Sequence, residues 1–127
     1  MTARVLSVGE AVFDIVIGPD STSEHIGGSM LNVAVGLATL GQPVSLCSWW
    51  AHDPHGEVLA QYARQAGVEI TPGTETATST PVAHARLDAD GVASYEFDLT
   101  WAVPLPPEPS RFGHLHTGSF AVTLEPG

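Results

Sequence analysis

The sequence predicts an α/β fold in which a parallel sheet is joined by a second, smaller sheet. Short, mainly apolar runs at Arg4–Val8 and at residues 44–50, separated by an apolar-periodic helical stretch, indicate a β-α-β unit with a parallel sheet. Beyond residue 80 the apolar period changes to two, which indicates antiparallel strands outside that unit. We expect one unit over residues 1–127, with the small sheet built from segments at about 12–26 and 80–101.

The charge balance excludes one class of partner. The chain carries 14 acidic residues against four arginines and no lysine, for a formal net charge of −10. Binding to nucleic acid needs clustered lysine and arginine, and a strongly negative protein repels a polyanion. We therefore expect no nucleic-acid partner.

Cysteine usage and the hydropathy pattern bear on the compartment. Cys47 is the single cysteine, so the chain cannot form an internal disulfide, and its context fits no zinc motif. Met1 leads directly into a strand pattern without a secretory leader, and no apolar run approaches the length of a membrane span. We expect a cytoplasmic protein with no membrane contact.

The first strand is predicted to end at Gly9 and Glu10. Open α/β sheets bind ligands beyond the carboxyl ends of their strands, so this end is a candidate edge of a binding site. Asp14 follows as the one charge in an apolar stretch, where it either turns outward on a half-exposed strand or is held for a ligand hydroxyl. Turn-forming residues at 18–24 allow residues 13–17 and 25–26 to pair as a hairpin.

Two glycines, Gly27 and Gly28, stand immediately before the core helix. Without a Cβ they can adopt positive φ and let a ligand reach bare backbone N–H groups, or they serve only the geometry of a tight turn. Ser29 is expected at the N-cap and Asn32 on the first helical turn, where donors suit a polyhydroxylated or anionic ligand. Gly41 is expected to end this helix. Its apolar positions at helical spacing are Met30, Val33, Ala34, Leu37, Ala38 and Leu40.

A second helix is predicted at about residues 56–66, between the turn signals of Asp53-Pro54 and a stop at Gly67. A short strand at 68–70 and an irregular connection at 71–80 follow. The residues expected to share the buried face of this helix are Val58, Leu59, Tyr62 and Ala63.

The last third of the chain begins with a predicted hairpin. Alternating residues at 82–87 and 93–99 flank a polar turn, and we expect the hairpin to pair with residues 13–17 rather than with the main sheet. The proline-rich segment 103–109 is expected to form a rigid, exposed connector. Residues 113–119 are expected to return as a buried strand that ends in a loop.

Several of these motifs occur together in one order and spacing. They are Val-Gly-Glu at the end of the first strand, Asp14, the run from Gly27 to Gly41, Asp53-Pro54-His55-Gly56, and His-Thr-Gly-Ser at residues 116–119. In this combination the chain resembles the ribokinase-like (PfkB) carbohydrate kinases, and the resemblance spans essentially the whole chain. Two departures affect the expected substrate rather than the fold: Met30 replaces a small residue or proline, and Ala51-His52 replaces the usual Gly-Asp.

The resemblance implies a ribokinase-like α/β fold and an ATP-dependent kinase that phosphorylates a hydroxyl of a sugar such as fructose or ribose. It implies that the small sheet forms a lid over the sugar. Substrate contacts are then expected from Asp14, Gly27, Gly28, Ser29 and Asn32, and from Phe97 and Trp101 at the lid. The family's nucleotide-binding half, with its catalytic base, has no counterpart in this sequence. The chain therefore resembles the N-terminal part of such a kinase, with no catalytic residue expected here and with ATP and Mg²⁺ bound mainly elsewhere.

Other functional classes remain open from the residues. A non-catalytic sugar-binding or dimerisation module is one, and we expect a homodimer through the lid because a small sheet alone is marginally stable unless its apolar side is covered. A metal-binding domain is less favoured: His52, Asp53 and His55 lie close in sequence, and His114 and His116 alternate on one strand face, but a third ligand for that pair is missing.

Overall fold

The computed structural model describes residues 3–98, 101–106, 108–118 and 120–123. It contains two four-stranded sheets and two long helices. In chain order the elements are β1 (Arg4–Val8), β2 (Val12–Ile17), β3 (Thr22–Gly27), α1 (Ser29–Thr39), β4 (Val44–Cys47), α2 (Pro54–Gln65), β5 (Glu69–Ile70), β6 (Val82–Leu87), β7 (Ala93–Asp98), β8 (Phe112–Thr117) and α3 (Phe120–Thr123).

The main sheet has the strand order β5-β4-β1-β8, and every pairing in it is parallel. Its central strands β1 and β4 are rich in residues that fit a sheet covered on both faces, and all four residues of β4 are buried. The predicted β-α-β unit is confirmed, with α1 crossing between β1 and β4 in the sheet.

Strand β8 departs from the prediction. Residues 113–119 were expected to form a buried strand, and β8 does pair with β1, but it is an edge strand of the sheet as described. Four of its six residues are exposed, Leu115 with 61% of its surface. Alternation and apolar content cannot tell an edge strand from an inner one, because burial depends on what packs beside it.

The lid is the second sheet, with strand order β3-β2-β6-β7. Strands β2 and β3 pair antiparallel, β6 and β7 pair antiparallel, and β2 joins β6 in parallel. This confirms the predicted hairpins and their pairing apart from the main sheet. Position 99, which the prediction included in the last strand, lies outside the described residues.

Helix α1 begins one residue earlier than its sequence signal suggested. Ser29 was expected at the N-cap, but Gly28 occupies that position and makes no side-chain cap, while Ser29 is the first helical residue. The reason is the contact of the Ser29 hydroxyl with the Glu10 carboxylate, which the local sequence does not reveal. Gly41 follows the end of α1, as predicted.

Helix α2 starts at Pro54, with Asp53 as its N-cap. Leu59 and Ala63 lie on its buried face as predicted, and Ala60 joins them in place of Val58 and Tyr62. Val58 and Tyr62 are 41% and 39% exposed. Close packing against the sheet selected Ala60, a small side chain, where the prediction had placed Val58 and Tyr62.

A continuous core links the two sheets. Phe13 from the lid, Leu31 from α1, Leu46 from the main sheet and Leu59 from α2 belong to one buried cluster. Among the described residues, no helix combines the length and apolar character needed to cross a membrane.

Candidate functional site

The register of the lid aligns four side chains on one face. Paired positions in neighbouring strands project to the same side of a sheet. The pairing of β2 with β3 and β6, and of β6 with β7, therefore makes a row across the lid. That row is His25, Asp14, Ala83 and Phe97. Two of the predicted site residues, Asp14 and Phe97, thus share a face two strands apart.

The neighbouring row also has an alanine on β6 and an aromatic ring on β7. It contains Ser23, Val16, Ala85 and Tyr95. Both β6 positions are alanine, so the side chains in the middle of this face are short. A depression therefore forms between the side chains of β2 and the rings of β7. A groove of about 350 Å³ results, lined by residues of both rows.

The aromatic wall of the groove is ordered by stacking. The rings of Tyr95 and Phe97 lie with centroids 6.0 Å apart and planes at 7°. Both side chains remain more than half exposed. An apolar ring surface opposite a carboxylate suits a ligand that has both polar hydroxyls and C–H faces.

Asp14 is the polar anchor of the groove. Its carboxylate lies against Gly27, so closely that a Cβ at position 27 would overlap Oδ2. Burial raises the pKa of Asp14, and the positive field of His25 opposes that rise. The half-buried carboxyl therefore bears a desolvation cost, a pattern common at functional sites.

Gly28 connects the lid to α1 in a conformation that needs glycine. Its φ is +100°, and a Cβ there would lie 2.6 Å from the carbonyl oxygen of Glu10 and 2.7 Å from the Cα of Ala11. The glycine turn is thus packed directly on the segment that follows β1. Asn32, exposed on the first turn of α1, donates its backbone N–H to Gly28 at 3.0 Å.

Glu10, which the sequence analysis named only as the end of the first strand, lies against the start of α1. It is only 6% exposed, and its carboxylate Oε1 accepts the Ser29 hydroxyl. Its Oε2 is buried and has no hydrogen-bond partner among the described residues. The available signal was its position, a charge directly after a buried strand; the structure adds that this charge fixes the start of α1.

Trp101 has a different environment from the other predicted residues. It is 1% exposed and packs with Val12, with Trp49, Ala83 and Val103 around the pair. Val12 is two residues before Asp14 and shares its face of β2, so Trp101 closes one end of that face. A direct sugar contact by Trp101 stays a prediction, and it would require this buried ring to become exposed.

His52, Asp53 and His55, which are close in sequence and were considered as metal ligands, do not form one cluster of ligand atoms in the structure. Asp53 is used as a helix cap, accepting hydrogen bonds from the Gly56 N–H at 2.7 Å and from the Thr80 N–H at 2.9 Å. The His55 ring stacks on Phe13 with centroids 4.3 Å apart. His114 and His116 lie on the edge strand β8.

All four arginines of the chain have partners within the fold. Arg64 binds Glu75, Arg111 binds Glu69, and Arg86 lies near Glu96. Arg4 donates to the Val44 carbonyl at 3.3 Å. Among the described residues, three arginines thus lie beside carboxylates and the fourth, Arg4, donates to a backbone carbonyl.

Comparison with known proteins decides the family. The model of the pfkB family of carbohydrate kinases matches residues 2–105. The chain belongs to this family. The α/β fold with its lid corresponds to the N-terminal part of ribokinase-like kinases, as the sequence predicted.

The family members similar to this chain are sugar kinases by name. A fructokinase from Rhizobium leguminosarum bv. trifolii is 29% identical over 98 residues, which are 73% of this chain and 30% of that protein. A carbohydrate kinase structure from Agrobacterium tumefaciens is 34% identical with a TM-score of 0.66, covering 76% of this chain and 36% of that one. A Xylella fastidiosa fructokinase structure with bound ATP is 28% identical with a TM-score of 0.68, and the match covers 78% of this chain and 34% of that one. The chain thus spans about a third of the length of these relatives.

Proposed function

We propose that this chain provides the sugar-binding part of a PfkB carbohydrate kinase, a phosphotransferase that acts on a hydroxyl group. The observation that carries the proposal is the lid groove, in which a half-buried carboxylate faces an aromatic wall across two alanines. Asp14 accepts hydrogen bonds from sugar hydroxyls, and Phe97 contacts a C–H face of the ring. A carboxylate–hydroxyl bond is charge-assisted and therefore among the stronger polar contacts.

The glycine turn supplies the second part of the proposed site. Gly27 and Gly28 let the Asp14 carboxylate and the segment after β1 pack against the backbone at the start of α1. Ser29 and Asn32 add hydroxyl and amide groups there. Glu10 is the positioning residue of this turn, since it holds Ser29. The N-terminus of a helix suits a sugar, because its first N–H groups lack partners within the helix and can donate hydrogen bonds to sugar oxygens.

ATP and Mg²⁺ are proposed as the donor and metal of the whole enzyme, following the ATP named in the Xylella fructokinase structure. The four arginines here are engaged, so we assign no residue of this chain to the triphosphate and place the catalytic base outside it. A cytoplasmic location is part of the proposal, because the single cysteine, Cys47, is buried and reduced.

The test is sugar binding by the 127-residue chain. Calorimetric titration with ketohexoses such as fructose and pentoses such as ribose should give saturable binding for at least one class. Asp14→Asn and Asn32→Ala should weaken it, the former by roughly 1.5–3 kcal/mol for one lost charge-assisted bond. Asp90→Asn, at an exposed turn of the lid, is the matched control and should leave binding unchanged.

Stability separates a binding role of Asp14 from a structural one. Because burial raises the pKa of Asp14, its ionised form is disfavoured in the fold. Asp14→Asn should therefore be as stable as the wild type or more so, while it binds sugar more weakly. If it unfolds more easily and binds equally well, Asp14 serves the fold and the site assignment is wrong.

The alternative is a module that binds sugar or a second copy of itself without catalysis. Exposed apolar side chains on the lid favour binding to a second copy: Val92, Tyr95 and Phe97 are each at least 60% exposed. We therefore also propose a homodimer through the lid, whose burial of these side chains would stabilise the small sheet. Dimer formation without any sugar affinity would favour the alternative.

A further inference from the structure

A second cluster of polar side chains lies outside the lid groove. His52 precedes the N-cap of α2, Glu57 is in the first turn of that helix, and Glu75 comes from the connection between β5 and β6. One ligand atom from each side chain lies within 4.8 Å of the other two. The sugar-binding proposal uses none of these residues.

The distances fit a tetrahedral metal ion. Bonds of 2.0–2.1 Å in a tetrahedron place neighbouring ligand atoms about 3.3 Å apart. His52 Nδ1 lies 3.2 Å from Glu57 Oε1 and 3.8 Å from Glu75 Oε2. The first distance already matches, and the second requires a shift of about half an ångström, within reach of exposed side chains.

Contacts with neighbouring residues fix the position of this cluster. Glu75 is only 18% exposed, and Arg64 binds its Oε1 at 2.8 Å, which leaves Oε2 toward His52. The flanking Thr74 and Ala77 are fixed by backbone hydrogen bonds to Trp50. Asp53, next to His52, is bound to Gly56 and Thr80. The ligand-bearing backbone is therefore fixed before any ion arrives, which lowers the cost of binding.

We propose that His52, Glu57 and Glu75 form a binding site for a divalent transition metal of the Zn²⁺ class, with water as the fourth ligand. One imidazole nitrogen and two carboxylate oxygens favour Zn²⁺, Co²⁺ or Ni²⁺ over Mg²⁺ and Ca²⁺, which prefer oxygen alone. The ion takes the place of the direct contact between His52 Nδ1 and Glu57 Oε1. It joins the start of α2 to the segment that leads into the lid.

The test uses untagged protein. Zn²⁺ is titrated against a chromophoric chelator, and Co²⁺ absorption in the visible range reports the coordination number. We expect one ion per chain and a four-coordinate Co²⁺ spectrum. His52→Ala, Glu57→Gln and Glu75→Gln should each weaken binding about tenfold or more. The His114→Ala/His116→Ala double variant is the control, because it removes the other paired histidines.

Thermal unfolding adds an independent measurement. An ion that binds only the folded chain raises the Tm in proportion to the logarithm of its concentration, and the three ligand variants should lose this increase. The control variant should keep it. The proposal is overturned by an absence of saturable binding, by binding that survives His52→Ala and Glu57→Gln, or by binding that the control variant loses. Each of these results would leave His52 and Glu57 as an exposed ion pair only.

Discussion

Among the carboxylates at the surface of this fold, Asp53 is the one whose removal should lower stability most clearly. It caps α2 through the Gly56 N–H and receives both the N–H and the hydroxyl of Thr80, at 2.9 and 2.6 Å. The Thr80 hydroxyl in turn accepts the Ala51 N–H at 3.1 Å. One carboxylate thus joins the end of β4, the start of α2 and the entrance to the lid.

The magnitude follows from these contacts. Loss of an N-cap costs about 1 kcal/mol. Each of the two bonds to Thr80 adds about 1 kcal/mol after allowance for partial exposure of the carboxylate. We expect Asp53→Ala to lower the free energy of unfolding by about 3 kcal/mol, a large fraction of the stability of a small domain.

The effect should depend on pH. Burial pushes the pKa of Asp53 upward, but hydrogen bonds from the Thr80 hydroxyl and from the N–H groups of Gly56 and Thr80, together with His55, hold it below the ordinary value of 3.8. A carboxyl with a lowered folded pKa stabilises the fold above its unfolded pKa and loses that effect as the pH falls through the folded value. The difference between wild type and Asp53→Ala should be constant from neutral pH to about 5 and shrink below the ordinary carboxyl pKa.

The assay is urea unfolding followed by circular dichroism at several pH values. Asp90→Ala, an exposed acid in the β6–β7 turn, is the matched control for charge and should change stability by less than about 0.5 kcal/mol. If Asp53→Ala were as stable as this control at neutral pH, the assignment of Asp53 as a structural junction would be refuted.

Three further predictions follow from the site. Gly28→Ala should cost about 1–3 kcal/mol in stability, because φ is +100° and the new Cβ would lie 2.6 Å from the Glu10 oxygen; Gly36→Ala, on α1 with open space around it, is the control and should not destabilise. Tyr95→Arg should shift sedimentation of the chain from dimer to monomer at micromolar concentration, and a wild-type monomer would contradict the lid dimer. With ATP, Mg²⁺ and a bound sugar, the chain alone should release no ADP above background, since the base and the anion hole are proposed to lie outside it; turnover would mean that a base lies within it, with Asp14 and Asp53 the first to examine.

The order of elements could be predicted because each left a local signal. The mainly apolar runs of β1 and β4, the helical period before Gly41, and the switch to alternation at Val82 correspond to observed elements, although β4 ends at Cys47 and not at residue 50. The pairing of the lid hairpin with β2 was also predictable, since both segments stood outside the β-α-β unit. Asp14 was recognised as a lone charge, and the register placed it opposite an aromatic wall.

What the sequence did not predict depends on contacts between distant residues. The Ser29 hydroxyl contacts Glu10, 19 residues earlier, instead of capping its own helix. The groove exists because Ala83 and Ala85 lie between β2 and β7, and that requires the register of three strands. His52 lies with Glu57 and Glu75 rather than with its sequence neighbour His55, whose ring packs on Phe13.

The central claim is that this chain binds a sugar between the lid and the glycine turn. The most direct measurement is a titration of ¹⁵N-labelled protein with each sugar of the panel, followed through backbone amide chemical shifts. We predict that, for at least one sugar, saturable changes are concentrated at Asp14, Gly27, Gly28 and Asn32, with smaller changes at Phe97. The claim is contradicted if these amides stay unshifted with every sugar, or if the changes are confined to the edge strand β8.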